Sequence, residues 1–225
     1  MVDAARVMLE IGPKGNKVVA VAPDWPGLER GAKTREVAIE QLLACLPRYT
    51  KVAQLAGLEA AFATVTTLDV IEEYPGTGST DFWGISFAFS DIDRQQMSDA
   101  ELDRELRLMQ AGWAFFDEVR SRVSAEMQKG PRGGGRNRDQ IVSHTFGTER
   151  DWAKKVRVIT PQGVMLTIGG LQAHRETYVD AIRAFHRRGE MARTWPLRYL
   201  IRHTAYHTVN HAWEMEDKDL TTEGT

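Results

Sequence analysis

Hydrophobic periodicity along this chain changes once, near Ser90. Before that point, apolar residues come in short alternating runs. Beyond it, they recur every three or four residues over long stretches. A half-buried strand buries every second side chain and an amphipathic helix every third or fourth, so the two regions call for different elements. The expectation is an α+β protein, with a small α/β domain over residues 1–90 (a linker strand region included) and a four-helix bundle over residues 91–225.

In the first region, Arg6-Val-Met-Leu-Glu-Ile11 and Lys17-Val-Val-Ala-Val-Ala22 read as strands. Gly12-Pro-Lys-Gly-Asn16 lies between them, and its turn chemistry makes a hairpin. Asp24-Trp-Pro-Gly27 is a second turn. Thr34 caps a helix expected over residues 35–46, which Pro47 follows. Residues 62–71 read as a strand, residues 74–80 as a loop, and residues 82–89 as a further strand or a packed linker.

In the second region, Ser98-Asp-Ala-Glu101 is a capping box. Leu102, Leu106, Met109, Trp113, Phe116, Val119, Val123 and Met127 follow as one buried stripe. The glycine-rich Gly130-Pro-Arg-Gly-Gly-Gly-Arg136 ends that helix. A second helix is expected over 137–155 and a third over 171–188. A fourth, capped by Thr194 with Pro196 in its first turn, runs to about 217. The connection over 156–170 is long enough to cross the bundle, which would set the second and third helices parallel.

The 225 residues carry a formal charge of −2, so no basic field draws in nucleic acid or an anionic membrane. The start of the chain does not read as a signal peptide, and no apolar run would span a bilayer, so a cytoplasmic location is expected. Cys45 is the single cysteine, which excludes an internal disulfide and a cysteine-cluster metal site, and it reads as a core residue.

Half of the six histidines fall within nine residues, His203-Thr-Ala-Tyr-His207-Thr-Val-Asn-His211. Steps of four place them along one side of the fourth helix. Two imidazoles one turn apart can grip a divalent ion, and His144 on the second helix can add a third donor. The seam Leu197, Leu200, Thr204, His207, His211 favours His207 and His211 as the pair, with His203 as the alternative. With a crossover, His144 lies ~10 Å and His211 ~9 Å from the same end of the bundle. In a simple up-down bundle, His144 is instead level with His203. Three neutral imidazoles leave a position open for substrate, as in catalytic zinc sites.

Other residues carry chemistry less specifically. Arg132 and Arg136 are candidates for binding an anion or cofactor at the start of the second helix. Glu149, five residues after His144, and Glu214, three after His211, are candidate catalytic acids or bases. His174 and His186 read as surface residues, and Trp113, Trp152 and Trp213 as core or pocket wall.

Residues 97–217 resemble the DinB-like (YfiT-like) four-helix bundle family. The resemblance rests on Ile141-Val-Ser-His144-Thr-Phe-Gly-Thr-Glu149 and His207-Thr-Val-Asn-His211-Ala-Trp-Glu214. It implies a divalent-metal site of His144, His207 and His211, although His203-Thr-Ala-Tyr-His207 fits the same H-x-x-x-H frame. Where the family usually has Arg-Gly-Gln after the pair, this chain has Ala212-Trp213-Glu214. The resemblance further implies zinc or nickel, low-molecular-weight thiols such as mycothiol or bacillithiol, S-transferase or isomerase chemistry on a small-molecule substrate, and a homodimer. Residues 7–49 look like a HicB-like domain, on Pro23-Asp-Trp-Pro-Gly27 and Gly31-Ala-Lys-Thr34 followed by a helix with Glu36 and Ala38. That resemblance implies a β-β-β-α-β interaction or dimerisation module.

Two functions follow as expectations. One is a metal-dependent enzyme that activates a thiol or water. The other is a non-enzymatic HicB-like regulatory protein on a helical scaffold.

Overall fold

The computed structural model describes residues 3–131 and 134–221. Strand β1 (Asp3–Ile11) and strand β2 (Val18–Val21) form the expected antiparallel hairpin, with Met8 opposite Val21 and Ile11 opposite Val18. The turn at Asp24–Gly27 leads into β3 (Glu29–Ala32), a short third strand that pairs antiparallel with β2. Helix α1 (Arg35–Ala44) starts on Thr34, whose side chain accepts from the Val37 amide.

Pro47 does not close the helical region as expected. It occupies the first turn of a further helix, α2 (Leu46–Leu55), where its missing N–H costs nothing. Nor does the next strand begin at Phe62, which lies in the short helix α3 (Glu59–Ala63) and packs against Trp25 and Tyr49 with ring centres 4.7 and 5.2 Å away. Strand β4 (Val65–Pro75) then runs parallel to β1 along its free side, giving the sheet order β3-β2-β1-β4.

The strands alternate as their sequence requires. Val7, Leu9, Val18 and Ala20 enter the main core. Met8, Val19 and Val21 face a smaller cluster with Tyr74 and Ile92. Residues 82–89 are not a strand: Phe82 and Trp83 end helix α4 (Gly78–Trp83), which stops on Gly84 at φ 67, and residues 84–89 form a packed linker. Gly31 backs onto Gly84 so closely that a Cβ there would sit 2.1 Å from the Gly84 carbonyl oxygen. The one-turn helix α5 (Asp91–Arg94) follows.

Four long helices make up the rest: α6 (Asp99–Arg122), α7 (Arg138–Ala153), α8 (Ile168–Arg187) and α9 (Leu197–Asp217). The Ser98 capping box is present. Helix α6 ends before Val123, shorter than its apolar stripe suggested, because Val123 turns to extended backbone and Met127 bridges to Asp219. Thr194 is not the cap of α9. Pro196 holds that position, after a tight turn closed between Ala192 and Trp195.

Cross-helix pairs fix the directions. Arg198 meets Glu101 and Glu105 while Arg122 meets Glu216, so α6 and α9 run parallel. Asp103 meets Arg183 and Asp117 meets Arg175, so α8 runs against α6. Glu149 meets Arg175 and Arg157 lies over Phe185, so α7 and α8 run parallel, joined by the crossing connection. His144 faces His207 and Trp152 faces His203, so α7 runs against α9. The apolar cluster of the sheet continues through Phe115, Phe116, Ile141, Val209 and Trp213 of the long helices. Among the described residues, no helix is long and apolar enough to cross a membrane.

Candidate metal centre

Helix α9 advances the ring of His203, His207 and His211 by ~40° per four-residue step. That drift separates environments which look equivalent in the sequence. His203 is 3 % exposed, stacked on Tyr199 at 4.9 Å and covered by Phe87 and Trp152. His211 has turned toward α7, where His144 stands. Because α7 runs against α9, His144 comes level with the space between His207 and His211.

The Nε2 atoms of His144 and His207 lie 3.2 Å apart. The ring centres are 5.1 Å apart for His144 and His207, 5.0 Å for His144 and His211, and 4.5 Å for His207 and His211. One ring nitrogen from each histidine lies within 4.8 Å of the other two. Two imidazoles bound tetrahedrally at 2.0–2.1 Å have their nitrogens ~3.3 Å apart. The first pair already stands at that spacing, and a ring nitrogen of His211 lies within 4.8 Å of both. The residues present therefore fit a divalent ion of the borderline class, zinc or nickel among them.

The electrostatics favour neutral donors. Burial pushes His207 well below the ordinary imidazole range, with His211 and His144 adding to the effect. Burial lowers His144 as well, followed by the charge of Arg136. Glu214 takes a supporting position. Its Oε2 accepts from Nδ1 of His211 at 2.7 Å, which fixes the tautomer and leaves Nε2 of His211 as the donor atom. That bond, helped by Lys218, holds the Glu214 carboxyl down to about 2.

The other sequence candidates fall elsewhere. Glu149 is 2 % exposed and does not join the histidines. Its carboxylate pairs with Arg175 at 3.2 Å, because five residues of helix turn it onto the α8 side of α7. Arg132 lies outside the described residues, whereas Arg136 is exposed and near enough to act electrostatically on His144 and His207. Cys45 is half-buried and accepts from Nε of Arg30. His174 is not a surface residue. It is 3 % exposed, with Nδ1 2.7 Å from Oγ1 of Thr160, and burial lowers it to about 4. His186 is also largely covered and lies 3.1 Å from Asp99.

Sequence reasoning passed over the groups that fasten α9 to the sheet. Arg202, 2 % exposed, donates from Nε and Nη2 to both oxygens of Asp93 at 2.7 Å and from Nη1 to Ser86. Glu10, fully buried, accepts from Ser86, Phe87 and Ala88, and Glu29 accepts from the Ser86 amide. Burial alone would raise Asp93, but the Arg202 guanidinium overrides it and holds the carboxyl below its ordinary range. Burial pushes Glu29 up to about 8, against the pull of the same arginine. One signal was available: Arg198 and Arg202 sit one turn apart among apolar residues of α9, on a helix buried too completely to leave both in water.

No protein-family model, no curated protein and no solved structure matches the chain, so its likeness to others rests on the motifs of the sequence alone.

Proposed function

We propose that the chain is a divalent-metal-dependent enzyme of the DinB-like type. His144, His207 and His211 hold the ion, and the reaction is a thiol S-transfer, an isomerisation or a hydrolysis of a small molecule. The observation that supports this reading most is the convergence of three imidazoles from two helices to within 4.8 Å, in an arrangement that leaves Nε2 of His211 free by engaging its Nδ1 with Glu214. A zinc or nickel ion bound there supplies Lewis acidity toward a thiol, water or carbonyl.

The chain's own residues do the rest. Glu214 orients His211 and balances part of the ion's charge. The Trp152 ring, 5.2 Å from His207, makes an apolar wall that keeps bulk water from one side. Arg136 offers a cation to a carboxylate of a low-molecular-weight thiol. In this reading the first part of the chain is a HicB-like module fused to a DinB-like bundle, working in the cytoplasm as a homodimer. The metal-loaded protein should accelerate transfer of a small thiol to an aryl chloride, and removal of the metal by chelation should abolish that acceleration. A rate equal to that of the metal-stripped protein, across several thiols, would refute the transferase reading.

A second reading, a HicB-like interaction protein without catalysis, draws support from Phe82 and Trp83. These neighbouring aromatics of α4 are 70 % and 61 % exposed. It predicts a stoichiometric complex that F82S/W83S loses while the chain stays folded. A complex indifferent to both substitutions would count against it.

A further inference from the structure

The face beside the histidines carries a second set of groups, of which the metal reading uses only the Trp152 ring. Trp152, at the end of α7, has its ring centre 6.0 Å from that of Trp195 as well as 5.2 Å from His207. The Lys155 ammonium lies 3.8 Å from the centre of the Trp195 ring. All three side chains belong to half-buried residues. Lys155 and Arg193 line one cavity of about 440 Å³, together with Lys154, Arg157 and Glu190.

The charges of that cavity do not balance. Lys154 pairs with Asp151, and Glu190 pairs with Arg188 and Arg157. Among the described residues, neither Lys155 nor Arg193 has an acidic partner. Burial lowers the Lys155 ammonium, and the like charge of Arg193 lowers it further. Arg193 also holds a left-handed backbone at φ 58, inside the turn closed by Ala192 and Trp195. A non-glycine residue there costs on the order of 1 kcal/mol or more. Lys155 is half-buried and Arg193 exposed, and with no carboxylate beside either of them an anion placed between the two is attracted by both.

We propose that this face is the substrate surface of the metal centre, built for a small anion with a flat apolar or aromatic body. The anionic head is held by Lys155 and Arg193, the body lies along Trp195 and Trp152, and the far end reaches the histidines. Aryl and arylalkyl carboxylates and phosphates have that shape and charge. Only the last element, the reacting end at the histidines, rests on the metal reading.

The test uses 4-phenylbutyrate as the probe, titrated into the full chain while tryptophan fluorescence is followed. It is run on protein as purified and after chelation. The metal content of each sample is measured alongside. Binding should be about millimolar or tighter, and K155M and R193Q should each weaken it about tenfold. The neutral analogue 4-phenylbutanol should bind at least tenfold more weakly than the acid. Both substitutions keep a long side chain and should leave the melting temperature and the metal content unchanged. Equal binding of acid and alcohol, or binding indifferent to both substitutions, would overturn the proposal, as would no binding at all. Anion binding by protein that takes up no metal would refute the metal reading and leave this surface standing. Metal uptake without anion binding would do the reverse.

Discussion

Glu214 offers the sharpest handle on how the candidate centre is tuned. Its carboxylate accepts from Nδ1 of His211 at 2.7 Å, and the bond holds Glu214 ionised far below neutral pH. A charge-assisted bond of this kind is worth roughly 1.5–3 kcal/mol. Part of that appears in metal affinity, because the bond fixes the His211 ring and raises the basicity of Nε2. Removing such a partner typically costs 10–100-fold in affinity, or roughly 1.4–2.8 kcal/mol. E214A should therefore weaken zinc binding by that factor. E214Q, which keeps a neutral acceptor at the same reach, should lose less. Competition against a chromophoric chelator at neutral pH measures all three proteins on one scale. Glu214 also accepts from Lys218 on the surface of α9, so the melting temperature should change little and the two effects separate. Zinc affinity unchanged in E214A would show that His211 does not bind through the nitrogen opposite Glu214, and the geometry assigned to the centre would be wrong.

R202M should destabilise the fold by about 3–5 kcal/mol, since it leaves the Asp93 carboxylate buried without its counter-charge. For a chain of this size the melting temperature falls by roughly 6–20 °C, readable by calorimetry. A fall of under about 2 °C would mean that the pair contributes nothing. His203 is pushed by burial to about 3 in the folded chain, against about 6.5 when unfolded. Its contribution to stability is complete above pH ~6.5 and is lost as pH falls toward ~3, at up to about 1.4 kcal/mol per unit. Urea melts of H203F should lack that share of the acid slope between pH ~5 and ~6.5. A slope equal to that of the parent would place His203 in water.

Much of the fold was legible because the responsible signals are local. The Ser98 capping box, the Thr34 cap and the alternation of β1 and β2 are each settled by neighbouring residues. What failed to show depends on partners far along the chain. β3 reads Glu-Arg-Gly-Ala and has no apolar alternation. It is a strand because β2 pairs with it and Gly84 lies behind Gly31. Glu149 read as a candidate acid or base and His174 as a surface residue because nothing nearby in sequence shows that Arg175 and Thr160 meet them in the interior. The three histidines were legible as a row on one helix. Choosing between His203 and His211 required the direction of α7, which depends on how the long connection crosses. Arg202 escaped notice for the same reason: Asp93, Ser86 and Glu29 come from separate segments.

Elemental analysis of the untreated protein tests the metal centre most directly. The predicted result is close to one zinc or nickel ion per chain, lost in the H207A/H211A variant and retained in H203F. A parent protein without bound metal that takes up none when zinc is supplied, or a double variant with unchanged metal content, would contradict it.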